Sequence, residues 1–397
     1  MLVAETISVA GSQMTYVVLP WFVLTTSGSP TRVSLVAAAE LAPVALFGLA
    51  SGSVVERIGS RASILVCDAA RALLLAAIPT LYLLDALPFA ALLVLVFGVG
   101  VFMVPHATAQ RVIVPELVGQ DAGRVGETHS LLQAALSVAS IAGPPIGGVL
   151  IGLIGNTNVL YVDAASYAVS FILVAGWVRP QHVGHAEEGE RGVMAGVRFL
   201  FRDRLLRVWM LSITGMNVVW SAFAVIFPVL VLERYGDRPQ ILGWIFGAFG
   251  VGSVLGSVAS FRLIGRVDRM LVAASASLGQ TAALWLILPD LPWPVVAAAA
   301  GITGLFFPFL NAIVITTRTM RTPRALWPSV HTAAVTVAII LAPVGALVAG
   351  PAISAYGLDL VVGAALLANT VVGLTFAAAA MRERSATPVP APDSPSL

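Results

Sequence analysis

Twelve apolar runs, each long enough to cross a lipid bilayer, occupy nearly all of the 397 residues of this chain. A bilayer core of about 30 Å requires roughly 20 apolar residues in a helix. Only helices and closed barrels satisfy every backbone group in lipid, and the runs do not alternate apolar with polar residues, which favours helices. The sequence therefore predicts an all-α polytopic membrane protein. Its predicted spans are 2–25, 33–54, 62–83, 89–108, 129–153, 159–178, 208–232, 240–262, 270–288, 294–317, 329–354 and 359–381.

Composition supports this class and excludes several chemistries. Hydrophobic residues make up 58% of the chain and charged residues 11%, against about 25% charged residues in soluble domains. All 22 basic residues are arginine, so neither a lysine-containing phosphate loop nor a Schiff-base lysine is available. The single cysteine, Cys67, cannot form an internal disulfide. The lack of lysine beside abundant Ala and Arg also suggests a GC-rich bacterial genome.

Arginine distribution predicts the orientation. One set of connections carries Arg57, Arg61, Arg111, Arg124, Arg262, Arg266, Arg269, Arg318, Arg321 and Arg324. The central loop on the same side adds Arg179, Arg191, Arg198, Arg202, Arg204 and Arg207, and the tail adds Arg382 and Arg384. The opposite connections hold only Arg32, Arg234 and Arg238. The positive-inside rule places the Arg-rich connections in the cytoplasm, so both termini are expected there, with the protein in a bacterial inner or plasma membrane.

The central loop divides the spans into six and six. We predict an N-terminal bundle at 1–178, a cytoplasmic loop at 179–207 with a helix on the membrane face, a C-terminal bundle at 208–381, and a disordered tail at 382–397. The two halves share a sequence feature, because Gly52-Ser53-Val54 and Gly256-Ser257-Val258 each precede arginines. Secondary transporters build a central site between two such repeats.

The segment Gly52-Ser53-Val54-Val55-Glu56-Arg57-Ile58-Gly59-Ser60-Arg61 resembles the loop motif G-x-x-x-D-R-x-G-R-R/K of the major facilitator superfamily. Glu56 replaces the usual Asp, and Ser60 stands where a basic residue is common. Gly52 would allow close helix approach and Gly59 a tight turn, while Glu56, Arg57 and Arg61 would form an ion-pair latch. Alternatively, the two arginines mark topology only.

Gly143-Pro144-Pro145-Ile146-Gly147-Gly148 resembles the GPxxGG motif of the drug-antiporter branch of that superfamily. The prolines remove backbone donors, and the glycines permit close packing. An ordinary kinked helix is the alternative interpretation.

Further segments narrow the resemblance to the subfamily of macrolide efflux pumps and enterobactin-type siderophore exporters. They are SVAGSQMTYVVLPWFVLTTSGSP, ELAP, CDAARA, VDAASYAVSFIL and GVRFLFRDRLLRVWML. The resemblance covers almost the whole chain and implies the major facilitator fold and export. Thr128-His129-Ser130 and Leu326-Trp327-Pro328 depart from the subfamily pattern near the cytoplasmic gate.

Ionisable residues inside the spans are candidates for proton coupling, because a charge in hydrocarbon costs roughly 2.5–3.5 kcal/mol on insertion scales. Glu40 is the leading candidate, at a depth of roughly 10 Å. Asp68 and Arg71 share a helix face and are expected to pair and to join the latch. Asp163 is expected to pack or cap near the outer end of its span. Glu5 would be solvated at the inner interface if Met1 is the true start, and deeper if the chain starts upstream.

A substrate pocket is expected near the midplane between the halves. Its candidate residues are Met14, Tyr16, Trp21, Asn217, Trp220, Phe223, Phe306, Phe307 and Asn311. Aromatic and Met side chains suit bulky lipophilic or cationic molecules, although ordinary helix packing is the alternative for each residue. His106, His129 and His331 are expected at the interface, His182 and His185 in the central loop, and no metal site is predicted.

These observations favour a proton-coupled exporter of lipophilic or amphiphilic small molecules such as drugs, macrolides or siderophores. An uptake permease of the same fold is the alternative. A membrane enzyme would need a catalytic constellation, and a sensor a sizeable soluble domain, and neither is evident. The expected partners are a small-molecule substrate, protons and the bilayer, without cofactor or nucleic acid, and the chain is expected to be a monomer.

Overall fold

The computed structural model describes residues 1–48, 51–119, 122–179, 193–263 and 266–386, and these residues are helical with short connections and no strand. The helices are α1 Leu2–Ser27, α2 Pro30–Phe47, α3 Ser51–Ile58, α4 Ser60–Leu83, α5 Phe89–Val118, α6 Ala122–Ile154, α7 Asn156–Trp177, α8 Val193–Arg202, α9 Arg204–Tyr235, α10 Pro239–Leu263, α11 Arg269–Leu284, α12 Trp293–Arg321, α13 Trp327–Ile339, α14 Ala342–Tyr356 and α15 Leu358–Ala386. Short 3₁₀ turns follow α11 and precede α13.

Twelve helical segments in the described residues are long and apolar enough to cross a bilayer. The prediction of an all-α protein with twelve spans is therefore confirmed. The fourth span continues past its predicted end at residue 108 to Val118, and two spans differ in form. The second ends at Phe47 rather than at residue 54, and α3 follows as a separate helix. Residues 49–50 lie outside the described residues. The sequence stays apolar beyond Phe47, so hydropathy alone could not place the end of α2.

The eleventh span is interrupted rather than continuous. It consists of α13 and α14, separated at Ile340 and Leu341. Pro343 lies at the second position of α14 and cannot donate a backbone hydrogen bond. Two hydroxyls of α9 compensate: Thr214 Oγ1 donates to the Val337 carbonyl at 2.9 Å, and Ser221 Oγ donates to the Ala342 carbonyl at 2.5 Å. A neighbouring helix thus satisfies carbonyls near the break, as lipid requires.

Helix contacts fall into two groups. In the N-terminal half, α1 packs against α6 and α7, and α4 against α5 and α7. In the C-terminal half, α10 packs against α12, α11 against α12 and α15, and α9 against α14 and α15. The halves meet where α2 packs against α14 and α6 against α10.

The connection between the halves is described only in part. Residues 180–192, with His182, His185 and Arg191, lie outside the described residues. Helix α8 follows and packs against α13, where Gly196 approaches the Ser329 carbonyl closely and Leu200 is fully buried. One face of α8 is therefore held by the C-terminal half rather than by lipid headgroups.

The start of the predicted tail is helical. Helix α15 continues to Ala386, and residues 387–397 lie outside the described residues. Arg384 Nε donates to Asp268 Oδ2 at 3.0 Å, and Glu383 pairs with Arg321. Asp268 also caps α11, and the Leu271 amide, followed by Arg384 and the Met270 amide, lowers the pKa of its carboxyl. These ion pairs explain why the helix extends beyond residue 381.

The two halves are joined at the Arg-poor end, where α2 begins and α14 ends. Ser34 Oγ accepts a hydrogen bond from the Gly350 amide at 2.5 Å, and the hydroxyls of Thr31 and Ser354 lie 3.1 Å apart. Gly350 also lies against the Pro30 carbonyl, where a Cβ would be only 2.1 Å from the oxygen. This conformation is therefore closed between α2 and α14 at the Arg-poor end.

A cysteine pair tests this closure. In the variant Thr31→Cys/Ser354→Cys, oxidation should form a disulfide, because the replaced hydroxyls are already in contact. Thiol counting with a maleimide after denaturation should then find Cys67 alone reactive. The two single variants are the controls and should keep both thiols. If both introduced thiols remain free after oxidation, the ends of α2 and α14 do not meet as described.

Candidate functional site

A cavity of about 360 Å³ lies between the halves, bounded by α1, α6, α9 and α10. The Tyr16 ring of α1 meets the Phe246 ring of α10 edge-on across the boundary, with centroids 5.3 Å apart. Within the C-terminal half, the ring centroids of Trp220 and Phe249 are 4.8 Å apart. The polar lining is made of the side chains of Gln13, Gln133, Ser137, Ser140, Ser253 and Ser257. No charged side chain lines this central cavity among the described residues.

A second cavity of about 310 Å³ lies within the C-terminal half. Five of the predicted pocket residues line it: Asn217, Trp220, Phe223, Phe307 and Asn311. Trp220 and Phe249 line both cavities, so the two share a wall.

Three predicted pocket residues do not line either cavity. Trp21 is 1% exposed in the core, Met14 packs against Gly147, and the Phe306 ring packs against Gly279. In helices that are apolar on all sides, the sequence does not indicate which side faces the protein's centre. Tyr16, by contrast, lines the central cavity as expected.

The glycine- and proline-rich motif at residues 143–148 of α6 forms close contacts on two sides. Gly143 and Gly147 lie against α1, where a Cβ would meet the Gln13 Cβ at 2.5 Å and the Met14 Cα at 3.0 Å. Gly148 faces the other half, with its Cβ position 3.1 Å from the Gly243 Cα of α10. Pro144 lines the central cavity. The motif's glycines therefore permit α6 to pack tightly against both halves beside that cavity.

The loop motif does not form the predicted latch. Glu56 and Arg57 are exposed and make no ion pair with any described residue. Arg61 instead donates to the Ala175 carbonyl near the end of α7 at 2.6 Å. Ser60 donates to Glu116 of α5, at the place where a basic residue is common. Arg61 and Ser60 thus tie the start of α4 to its own half.

The two motif glycines have different roles. Gly59 adopts φ +84 at the turn before α4, as expected of a glycine there. Gly52 has no neighbour within 4 Å of a Cβ position, so the predicted close helix approach at Gly52 is wrong.

A buried acidic cluster lies in the N-terminal half. His106 Nε2 of α5 is 3.2 Å from Asp68 Oδ1 and 3.9 Å from Glu5 Oε1. Gln110 donates to Glu5 Oε2 at 2.7 Å, and Ser170 donates to Asp68 Oδ2 at 2.7 Å. Glu5 and Asp68 are completely buried. The expectations of a solvated Glu5 and an interfacial His106 are therefore wrong, because facing helices enclose both side chains.

Arg71 does not pair with Asp68, although both lie on α4. Its guanidinium stacks on the Tyr167 ring, with Cζ 4.0 Å from the centroid, and its Nη2 is 3.4 Å from Ser12 Oγ. Ser12 is in turn hydrogen-bonded to the Tyr167 hydroxyl. Asp68 bonds Ser170 and approaches His106 instead. The predicted Asp68–Arg71 pair, and its link to the latch, are thus corrected.

Asp163 and Glu40 lie deeper toward the Arg-poor end. Asp163 is fully buried and accepts hydrogen bonds from Thr15 at 2.5 Å and Ser166 at 3.1 Å. Glu40 is half-buried, and its carboxyl has no hydrogen-bond partner among the described residues. It lies close enough to Arg71 and Asp163 for their charges to interact.

Together these residues place four carboxyl groups around one fixed positive charge. Burying an unpaired charge costs several kcal/mol, so Arg71 is the central counter-ion of this group. Sequence reasoning found the four acids but missed His106 and Gln110. Their spacing of four residues puts both on one face of α5, and two polar residues at helical spacing in an apolar run were the available signal. Among the described residues, no cluster of His, Cys, Asp or Glu could hold a metal ion.

Removing the counter-ion should destabilise the fold. Arg71→Met leaves the buried acids without a fixed positive charge, and we expect a loss of about 3–5 kcal/mol. The readout is thermal unfolding followed by a maleimide dye that reacts with the buried Cys67 thiol once it is exposed.

Two variants control this experiment. Asp163→Asn combined with Arg71→Met should recover part of the loss, because one acid is removed with its counter-ion. Arg57→Met changes an exposed arginine and should shift stability by no more than about 0.5 kcal/mol. An Arg71→Met protein as stable as the Arg57→Met protein would contradict the counter-ion role.

Comparison with known proteins agrees with this architecture. The chain is 30% identical to the multidrug efflux pump Tap of Mycolicibacterium fortuitum over 364 residues, which cover 88% of this chain and 87% of that protein. It is 28% identical over 371 residues to the multidrug efflux pump Tap of Mycobacterium tuberculosis (strain ATCC 25618 / H37Rv), covering 90% and 87%.

Solved structures share the fold at low identity. The nucleoside transporter NupG matches with a TM-score of 0.77 at 11% identity, over 95% of this chain and 97% of that one. A bacterial homologue of the human lysosomal transporter Spinster, inward-facing and unoccupied, matches at 0.72 and 15%, over 98% and 97%. The family model of the Major Facilitator Superfamily matches residues 1–343. This chain is a membrane transporter and belongs to the major facilitator superfamily.

Proposed function

We propose that this transporter exports lipophilic or amphiphilic small molecules from the bacterial cytoplasm in exchange for protons. The observation that carries the proposal is the separation of two environments. An uncharged, aromatic cavity lies between the halves, and the N-terminal half holds the buried acids Glu5, Asp68 and Asp163 and the half-buried Glu40. The similarity to two proteins named multidrug efflux pumps supports the direction of export and the substrate class.

Orientation follows from the arginines, with the Arg-rich end and both termini in the cytoplasm. The conformation closed between α2 and α14 at the Arg-poor end then faces inward. Substrate enters the central cavity from the cytoplasm or the inner leaflet, where aromatic rings and serine hydroxyls can bind an amphiphile. Rocking of the halves would move the opening to the outside. One chain encloses the whole path, so we propose that the monomer is the functional unit.

Tyr16 and Glu40 connect the cavity to the acids. The Tyr16 ring lines the central cavity, and its hydroxyl lies within range of the Glu40 charge. Glu40 belongs to α2, the same helix that carries Thr31 and Ser34 of the closure with α14. A proton on Glu40 removes its attraction to Arg71 of α4, and this change acts on the helix that closes the Arg-poor end. Protonation and closure can thus be coupled without covalent chemistry.

The driving force is adequate for such an exchange. Each charge that moves across the membrane gains about 2.3 kcal/mol per 100 mV of membrane potential. Asp68, Asp163 and Glu5 are further sites that could hold the proton, and the contact between His106 and Asp68 offers a place for it within the cluster. Glu40 is preferred because its carboxyl has no hydrogen-bond partner among the described residues and because its charge acts on Tyr16 of the cavity wall.

Replacing Glu40 tests the coupling. Cells that lack other efflux pumps and express the wild-type protein should accumulate less of some compounds in a panel of fluorescent amphiphiles and macrolides. A proton uncoupler should restore accumulation. Glu40→Gln keeps the size and polarity of the side chain but cannot release a proton, so accumulation should match that of cells without the pump.

The matched control is Glu127→Gln, an exposed acid at the Arg-rich end of α6, which should leave export intact. Both variants must reach the membrane in equal amounts. Unchanged export by Glu40→Gln would remove Glu40 from the mechanism, and export that the uncoupler does not affect would contradict proton exchange. Uncoupler-sensitive uptake instead of efflux would favour the permease alternative.

A further inference from the structure

The cavity within the C-terminal half differs from the central cavity in its polar groups. Its hydrogen-bonding side chains are mainly carboxamides, from Asn217, Gln280, Asn311 and Asn369. Four helices, α9, α11, α12 and α15, each contribute one of these amides. The remaining wall is aromatic and aliphatic, and no charged side chain lines the cavity among the described residues.

Gln280 is the most informative of these residues. It is only 7% exposed, it lines the cavity, and its Oε1 atom has no hydrogen-bond partner among the described residues. A buried carbonyl oxygen without a partner is unfavourable, because its hydrogen bonds to water are lost and not replaced. Such an atom in a cavity wall is therefore a ready acceptor for a ligand that brings an N–H or O–H group.

The surrounding charges determine which ligands fit. None of the described residues lining the cavity carries a carboxylate to balance a cation. The next charged residue along α12 after Asn311 is Arg318, which is buried and lies 3.0 Å from His331 Nδ1. A positive charge at that position disfavours cations. Anions find no lining cation, and a carboxylate is acceptor-only, so it cannot satisfy the Gln280 oxygen.

Resting on the proposed transport function, we infer that this cavity is a substrate subsite for uncharged aromatic molecules that carry hydrogen-bond donors, with Gln280 as the acceptor that selects them. The shared wall of Trp220 and Phe249 places the subsite next to the central cavity. A substrate can therefore extend from one cavity to the other, with its ring on the aromatic wall and its donors on the amides.

Equilibrium binding to the purified full-length protein in detergent tests the inference, with tryptophan fluorescence as the readout. The probes are chloramphenicol, an uncharged aromatic amide with two hydroxyl donors, and ethidium, a permanent planar cation. Wild-type protein should bind chloramphenicol at least tenfold more tightly than ethidium. Gln280→Leu keeps a similar volume but removes the acceptor, and it should weaken chloramphenicol binding about 3- to 10-fold.

Two further variants sharpen the result. Gln280→Glu places a carboxylate in the cavity and should strengthen ethidium binding several-fold. Asn311→Asp also adds a carboxylate to the cavity wall and should likewise strengthen ethidium binding. Because Asn311 is exposed, this substitution is less disruptive to folding than a change at the buried Gln280. Asn158→Leu is the matched control: this exposed amide lies at the Arg-poor end of α7, outside the lining of both cavities, and donates to the Ile154 carbonyl at the end of α6. It should bind both probes as the wild type does.

Three results would overturn the inference. In the first, the wild-type protein binds ethidium as tightly as chloramphenicol. In the second, the Gln280→Leu variant binds chloramphenicol as tightly as the wild type does. In the third, monodisperse wild-type protein does not bind chloramphenicol. Because binding is measured without a membrane or a gradient, none of these outcomes depends on the direction of transport or on proton coupling. Conversely, failure of Glu40→Gln to affect export would leave this binding result unchanged.

Discussion

The cost of a buried charge is the constraint on which the N-terminal half depends. Four carboxyl groups, Glu5, Glu40, Asp68 and Asp163, lie inside helices that cross the membrane, and Arg71 is the fixed positive charge among them. The protein lowers this cost with hydrogen bonds from Gln110, Ser170 and Thr15, and by stacking Arg71 on Tyr167. Under the proposed exchange, the gain or loss of a proton by one of these acids would alter how the single arginine is shared.

The same helices that carry these charges also carry the contacts between the halves. Helix α2 holds Glu40 near its middle and Thr31 and Ser34 at its Arg-poor end. Helix α1 holds Glu5, Thr15 and Tyr16, and it packs against the glycines of the motif in α6. Under the proposed exchange, these shared helices would link proton binding to movement of the halves. In contrast, the C-terminal half contributes uncharged cavity walls, in which aromatic rings and amides can contact a substrate.

The fold was largely predictable from the sequence, because a lipid environment leaves few options for twelve apolar runs. The breaks in the second and eleventh spans were not predictable from hydropathy. The second span ends at Phe47 within a sequence that stays apolar, and the interruption of the eleventh depends on Pro343 together with hydroxyls from a different helix. The sequence also did not indicate which side of each helix faces a cavity. Trp21 and Tyr16 are five residues apart on α1, yet Trp21 lies in the core and Tyr16 lines a cavity.

Site residues divide in the same way. The buried acids could be identified because a carboxylate in an apolar run is conspicuous, but their partners depend on helices that are distant in sequence. Asp68 approaches His106 of α5 rather than Arg71 on its own helix, and Arg61 bonds a carbonyl of α7 rather than Glu56. Spacing along one helix therefore predicted ion pairs within that helix, whereas the observed partners of these side chains lie on neighbouring helices.

Proton movement measured together with substrate movement is the most direct test of the central claim. Proteoliposomes with the purified protein and an internal pH indicator would receive an outward or inward gradient of chloramphenicol or another transported compound, with no other driving force. The account predicts a proton flux opposite to the substrate flux in the wild type, and no proton flux with Glu40→Gln. Substrate movement without any proton flux in the wild type, or proton movement in the same direction as the substrate, would contradict it.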